Sequence, residues 1–156
     1  MSLTIGSVAP DFSLTDTNKA TVTLSELKGQ KVVLLFFPFA FTGTCTAELC
    51  GVRDDISRYS NLNAKVYGIS IDSVFSLIKY KEEQNFNFDL LCDFNKEACT
   101  AYESVYESFA FGMKGVAKRS AFVIDKDGII QYAEVLENAN EIPNLEAVIA
   151  VLTNLN

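Results

Sequence analysis

Four cysteines are the main candidates for chemistry in this chain, because it contains no histidine. That absence excludes Ser-His-Asp and Cys-His sites, histidine general bases and His-ligated zinc. Catalysis must therefore use cysteine, carboxylate, lysine, tyrosine or arginine side chains. The cysteines (Cys45, Cys50, Cys92 and Cys99) are not spaced as the close pairs of a zinc site, so we predict no metal and no cofactor.

Cys45 lies just after a predicted buried strand, where the chain turns into a helix. The first N–H groups of a helix have no partner within it, and the helix dipole adds partial positive charge, so both favour a thiolate. Small or hydroxylated neighbours, such as Thr42 and Thr46, allow close approach and supply hydrogen bonds. The alternative is a buried structural cysteine, the usual role of a free one. The strand-to-helix position favours a reactive Cys45.

Cys50 follows five residues later, in the same predicted helix. On an intact helix the two Cα atoms would lie about 8.7 Å apart, whereas a disulfide needs roughly 4.4–6.8 Å. Cys50 can therefore bond to Cys45 only if the first turns unwind, and a small core residue is the alternative interpretation. For Cys92 and Cys99 we predict buried thiols without a redox role.

Strands and helices alternate around these residues. Strands are predicted at 31–37, 64–71 and 88–92, hairpins at 11–24 and 120–136, and helices after Cys45, from Ser73 to about Gln84, near 96–107, and from Pro143. Asp127-Gly128 is predicted as a hairpin turn rather than part of a calcium loop. This order predicts one α/β domain, residues 1–156, with a thioredoxin-like fold: a central mixed sheet flanked by helices, with an N-terminal β-hairpin.

Composition excludes several partners. Thirteen basic against twenty acidic residues give a formal net charge of −7, which disfavours nucleic acid. The longest apolar stretch, Val32 to Phe41, has ten residues, too few to span a membrane. The segment MSLTIGSVAPDF lacks a basic region followed by an apolar one, so we expect no secretory signal. We therefore expect a cytoplasmic protein, in which the cysteines form no disulfide framework.

Pro38, Thr42 and Cys45 match the Pro-x-x-x-Thr-x-x-Cys signature of peroxiredoxins, thiol peroxidases of thioredoxin fold. The resemblance covers nearly the whole chain, including APDFSLTD, KVVLLFFPFAFTGTC and GVAKRSAFVIDKDGIIQYAEV. In the last of these, Arg119 matches the catalytic arginine of the family. The chain most resembles the small bacterial branch, which comprises the alkyl hydroperoxide reductase E type and the bacterioferritin-comigratory-protein type.

The resemblance implies that a Cys45 thiolate attacks a hydroperoxide and becomes a sulfenic acid. Arg119 and Thr42 would hold the peroxide oxygens, and Pro38 would shield the sulfur from water. Glu48 matches a glutamate common in this branch, although it also fits a surface helix residue.

The resemblance leaves two routes by which a thiol would react with the Cys45 sulfenic acid and so resolve it. The comigratory type often carries a resolving cysteine five positions after the first, where Cys50 lies, and a thioredoxin-like donor would then reduce the disulfide. The E type commonly uses one cysteine, so an external thiol would have to attack Cys45 directly.

Rival functions are a non-enzymatic redox sensor or binding module, and a thioredoxin-type disulfide reductase. The reductase is disfavoured because Glu48 occupies the position where a CxxC motif needs its second thiol. Four aromatic residues (Phe39, Phe41, Phe109 and Phe111) fit either an apolar peroxide or a dimer face. The resemblance allows a monomer or a dimer, and the Phe-rich turn favours a homodimer.

Overall fold

The computed structural model describes residues 3–155. Met1, Ser2 and Asn156 of the predicted domain lie outside the described residues. The strands are β1 (Ser13–Asp16), β2 (Thr21–Thr23), β3 (Lys31–Phe36), β4 (Ala64–Ser70), β5 (Asp89–Cys92), β6 (Val105–Tyr106), β7 (Val116–Ala117), β8 (Ser120–Ile124) and β9 (Ile130–Val135). The α-helices are α1 (Gly43–Asp54), α2 (Ile56–Ser60), α3 (Val74–Gln84), α4 (Glu97–Ala101) and α5 (Leu145–Asn154).

Seven strands form one mixed sheet in the order β2-β1-β5-β4-β3-β8-β9. The pairs β3–β4 and β4–β5 are parallel, and the remaining pairs are antiparallel. The mixed sheet, the N-terminal hairpin β1–β2 and the thioredoxin-like architecture confirm the fold predicted from the sequence. Strands β6 and β7 form a separate short pair.

Strand β3 lies inside the sheet, between β4 and β8, and every residue of its sequence KVVLLF is buried. Its side chains alternate between two apolar clusters, as strand geometry requires. Val33 and Leu35 pack with residues of α1, α3 and α5, whereas Val32 and Leu34 pack with the N-terminal segment and α4. Helices thus cover both faces, which explains the continuous apolar run.

The register of the sheet places residues that are distant in the sequence side by side at the C-terminal end of β3. Phe36, the last residue of β3, pairs with Ile69 near the end of β4 and with Ser120 at the start of β8. The loop from β3 to α1 therefore leaves the sheet beside the residue that precedes β8, which is Arg119.

Two predicted helix boundaries were wrong. The helix expected near 96–107 is the short α4, because Glu103 has a left-handed φ of 53° and the next residues form β6. Helix α5 begins at Leu145 rather than at Pro143, because the Asn144 side chain accepts the backbone N–H of Ala147 at 3.0 Å.

Two other local predictions are confirmed. Ser73 caps α3 by accepting the backbone N–H of Ser76. Asp125 accepts the N–H groups of Asp127 and Ile129, so its carboxylate holds the β8–β9 turn.

Lys31 is a buried cation at the start of β3. Its Nζ donates to the carbonyl oxygens of Leu62, Leu152 and Leu155 at 3.0, 3.5 and 3.2 Å. The bonds to Leu152 and Leu155 satisfy carbonyls at the C-terminal end of α5, where the helix dipole favours a positive charge. Lys31 therefore connects the last helix to strand β3.

Throughout residues 3–155, no helix is both long enough and apolar enough to cross a membrane.

Candidate active site

The loop between β3 and α1, residues 37–42, positions the predicted nucleophile. Pro38 is buried, Phe41 has a left-handed φ of 68°, and the Thr42 hydroxyl donates to the carbonyl oxygen of Phe39 at 2.9 Å. Thr42 is then the N-cap of α1, with extended backbone. Cys45 follows in the first helical turn and is 0% exposed. The predicted strand-to-helix position of Cys45 is therefore the one observed.

Arg119 makes direct contact with the Cys45 sulfur. Its Nη2 donates to Cys45 Sγ at 3.0 Å, its Nη1 to Glu48 Oε1 at 2.8 Å, and its Nε to the carbonyl oxygen of Ala139 at 2.9 Å. The side chain is 2% exposed. Burial opposes its charge, but the neighbouring Cys45 and Glu48 more than offset this, so the pKa of Arg119 is raised. The guanidinium is thus fixed as a cation beside the thiol.

Glu48 is buried in the site, so the alternative of a surface helix residue is wrong. It lies three residues after Cys45 on the same face of α1, which is why one guanidinium reaches both. The side chain is fully buried, and Oε2 has no hydrogen-bond partner. Burial raises the pKa of Glu48 to about 7, although the Arg119 guanidinium acts in the opposite direction.

Sequence reasoning missed two residues that support the site. The Tyr80 hydroxyl is 2.8 Å from Thr46 Oγ1, and its ring is 4.9 Å from that of Phe41. Asp72 Oδ2 accepts the backbone N–H of Ala40 at 2.9 Å and so holds the β3–α1 loop. The available signal for Asp72 was its position just after a buried strand, at the sheet edge that carries Cys45.

Cys50 is not bonded to Cys45 in this conformation. Helix α1 is continuous through both residues, and both thiols are free. Cys50 Sγ lies 3.6 Å from Gln84 Oε1, at the end of α3. Formation of a disulfide between the two cysteines therefore requires the helix to unwind, as its geometry predicted.

The two remaining cysteines lie outside this cluster. Cys99 is buried, and burial raises its pKa to about 12. The prediction of a buried thiol was wrong for Cys92, which is half-buried because it is the last residue of β5, and its thiol donates to the carbonyl oxygen of Asp72 at 3.2 Å.

The four aromatic residues singled out from the sequence divide into two pairs. The rings of Phe39 and Phe109 contact each other at 5.9 Å. Phe41 and Phe111 are 51% and 97% exposed.

Comparisons with known proteins agree with this geometry. Residues 5–133 match the AhpC/TSA family. The chain is 39% identical over 132 residues to a putative peroxiredoxin, bcp, of Coxiella burnetii, covering 83% of this chain and 87% of that protein. It is 38% identical over 134 residues to alkyl hydroperoxide reductase E of Mycobacterium tuberculosis, covering 85% of this chain and 86% of the relative.

The fold of this chain is also similar to solved structures of related proteins. Peroxidoxin BcpB of Mycobacterium tuberculosis superposes with a TM-score of 0.86 at 29% identity, covering 99% of each chain. The bacterioferritin comigratory protein of Xanthomonas campestris has a TM-score of 0.82 at 25% identity, covering 97% of this chain and 96% of that one.

Proposed function

Because this chain belongs to the AhpC/TSA family and is a peroxiredoxin, a thiol-dependent hydroperoxide reductase, we propose that Cys45 is its peroxidatic nucleophile. The observation that carries the proposal is the 3.0 Å contact between the Arg119 guanidinium and the buried Cys45 sulfur. The thiolate attacks one oxygen of the hydroperoxide, an S–O bond forms and the O–O bond breaks. The products are a sulfenic acid on Cys45 and water or an alcohol.

We propose that Arg119, Thr42 and Pro38 prepare this reaction. Arg119 stabilises the thiolate and then the negative charge that develops on the peroxide oxygens, in a site from which water is excluded. The Thr42 hydroxyl donates to a loop carbonyl, which leaves its oxygen free to accept a hydrogen bond from the peroxide. Pro38 has no N–H and is buried, so it adds apolar cover without a competing donor.

Cys50 is proposed as the resolving cysteine. After oxidation, unwinding of the first turns of α1 would release Cys50 from Gln84 and let its thiolate attack the sulfenic sulfur. Water leaves, and a thioredoxin-like donor reduces the resulting disulfide. The second candidate is a one-cysteine enzyme that uses an external thiol. The observation that supports it is the intact helix α1, which holds Cys45 and Cys50 too far apart for a disulfide.

Mass spectrometry after one equivalent of peroxide separates the two routes. The resolving role predicts a loss of two hydrogens that disappears in Cys50→Ser. A sulfenic acid that persists in the unmodified protein, without an internal disulfide, would instead assign resolution to an external thiol.

Peroxide consumption in the presence of a dithiol donor tests the enzymatic function. We expect catalytic turnover that Cys45→Ser abolishes. A redox sensor or a thioredoxin-type reductase would consume peroxide slowly at best, so slow consumption by the unmodified protein would contradict the proposal.

We further propose a cytoplasmic homodimer with no nucleic-acid or membrane partner. Free thiols suit a reducing compartment, and the exposed side chains of Phe41 and Phe111 offer apolar surface to a second copy of the chain. Sedimentation equilibrium should give a dimer that Phe111→Ser weakens. A monomer at all concentrations would contradict the dimer.

A further inference from the structure

One atom of the site lacks a partner. Among the described residues, Glu48 Oε2 is the buried side-chain oxygen or nitrogen without a hydrogen bond. Its sister oxygen, Oε1, accepts from Arg119. Buried polar atoms are nearly always paired, and an unpaired one disfavours the folded state unless a ligand completes it. The peroxide is the ligand that this site is proposed to bind.

The charges around Arg119 indicate which acid of the cluster carries a proton. A single guanidinium contacts two acids, the Cys45 thiol at 3.0 Å and the Glu48 carboxyl at 2.8 Å. If both were ionised, the buried cluster would carry a net negative charge, which is costly without solvent. When Cys45 is the thiolate, the neutral arrangement therefore has Glu48 protonated. Because Oε1 faces the guanidinium, the proton belongs on Oε2, the atom without a partner.

We propose that Glu48 is the general acid of the peroxidase reaction and that its Oε2 protonates the leaving oxygen of the hydroperoxide. This inference rests on the proposed role of Cys45. The thiolate takes the terminal oxygen with its hydrogen, the sulfur is oxidised by two electrons and the O–O bond is reduced. The departing alkoxide or hydroxide takes the proton from Glu48 and leaves as an alcohol or water.

Charge balance supports this sequence of events. Before the step the cluster holds a thiolate, a guanidinium and a neutral carboxyl. After it, the cluster holds a neutral sulfenic acid, the same guanidinium and a Glu48 carboxylate. The buried site is neutral in both states, so no net charge enters or leaves the low-dielectric interior.

Burial is the main reason why Glu48 keeps its proton near neutral pH. The carboxylate of Glu134 on β9 also favours the protonated form of Glu48, whereas the Arg119 guanidinium favours the ionised form. Tyr59 on α2 and Tyr80 on α3 also interact with Glu48, and both carry phenols whose pKa is raised by burial.

The dependence of rate on the leaving group provides the test. Glu48→Gln keeps an oxygen that can accept from Arg119 but has no acidic proton. An alkyl hydroperoxide expels a strongly basic alkoxide that needs the proton, whereas peracetic acid expels a weakly basic acetate that does not. We expect the variant to lose about 10²–10⁴-fold in rate with tert-butyl hydroperoxide, the usual range for a general acid. The loss with peracetic acid should be at least tenfold smaller.

Equal losses with the two peroxides would overturn the proposal, because a residue that only positions Arg119 would affect both alike. Glu83→Gln is the matched control, since it removes an exposed carboxylate of α3 outside the site and should create no leaving-group dependence. Should Glu48→Gln fail to fold, the solvent deuterium isotope effect on the unmodified protein decides the question. It must be larger for the alkyl hydroperoxide than for the peracid, and equal effects would overturn the assignment.

Failure of this inference is distinguishable from failure of the proposed function. If Cys45→Ser abolishes turnover while Glu48→Gln shows no leaving-group dependence, Cys45 keeps its role and Glu48 loses its own. If Cys45→Ser retains turnover, both proposals fall.

Discussion

Replacement of Arg119 by methionine removes the guanidinium but keeps most of the buried stem. The change deletes the hydrogen bonds to Cys45 Sγ, Glu48 Oε1 and the Ala139 carbonyl. The effect on ionisation can be scaled against an ordinary thiol of pKa about 8.5, which is roughly 3% thiolate at pH 7. Relative to such a thiol, complete ionisation is worth ~30-fold, or about 2 kcal/mol.

Stabilisation of the breaking O–O bond is a separate contribution of Arg119. Loss of one preorganised donor to a developing anion costs about 10²–10³-fold. Multiplied by the ionisation effect, this loss predicts that Arg119→Met reduces the rate constant with peroxide by about 3×10³–3×10⁴-fold at pH 7. The larger part of that loss should persist when the thiol of the variant is fully ionised.

The assay compares rate constants across pH. Because the chain has no tryptophan, competition against a peroxidase of known rate is preferable to intrinsic fluorescence. Thiolate absorbance in the ultraviolet, measured in Cys50→Ser backgrounds, identifies the pH at which Cys45 is fully ionised. If Arg119→Met recovers the unmodified rate at that pH, Arg119 acts only through ionisation and the reasoning is refuted.

Loss of stability could be mistaken for loss of chemistry in this variant. Removing one partner of a buried ion pair costs about 3–5 kcal/mol, although protonation of Glu48 reduces that figure. Against a typical stability of about 5–15 kcal/mol, the variant should stay folded. The double variant Arg119→Met, Glu48→Gln should recover part of the lost Tm and none of the lost rate.

Three further predictions concern pH, resolution and stability. Between pH 4.5 and about 7 the unfolded chain loses the Glu48 proton while the folded protein keeps it, so the folded state loses stability as pH rises. The stability of Glu48→Gln relative to the unmodified protein should therefore rise by about 3 kcal/mol across that window in urea titrations; a constant difference would contradict it. Ala47 is exposed on α1 between Cys45 and Cys50, so Ala47→Gly should destabilise the first turns by about 1 kcal/mol and speed the closure of the Cys45 disulfide about fivefold in quenched time courses; an unchanged rate would mean that unwinding does not limit closure. Lys31→Met should lower the free energy of unfolding by about 2 kcal/mol and Tm by ~4–8 °C in thermal unfolding, without loss of peroxidase rate. Lys65→Met, at an exposed position, should change Tm little, and an equal loss of Tm in both variants would contradict the prediction.

Local sequence patterns predicted the elements that carry the site. The continuous apolar run of β3 indicated a strand buried on both faces, and Cys45 was expected in the turn that follows it. The helix expected near 96–107 failed because a helical run of residue types continues past Glu103, whose left-handed backbone ends α4. Nothing in residue spacing marks such a break.

Local sequence patterns did not predict the contacts between residues that are far apart in the chain. Arg119 lies 74 positions from Cys45 in the chain, and only the resemblance to a family associated the two. The burial of Glu48 was equally invisible, since a glutamate on a helix is ordinarily exposed. Its setting depends on the register that brings β8 beside the end of β3, which is a property of the whole sheet.

The central claim is that a Cys45 thiolate held by Arg119 attacks the peroxide. Its most direct test treats Cys50→Ser protein with one equivalent of hydroperoxide, traps the product with a sulfenic-acid reagent, and locates the adduct by fragment mass spectrometry. Stoichiometric adduct on Cys45, formed much more slowly once Arg119 is replaced, is the predicted result. Adduct on Cys92 or Cys99, or formation at the same rate with and without Arg119, would contradict the account.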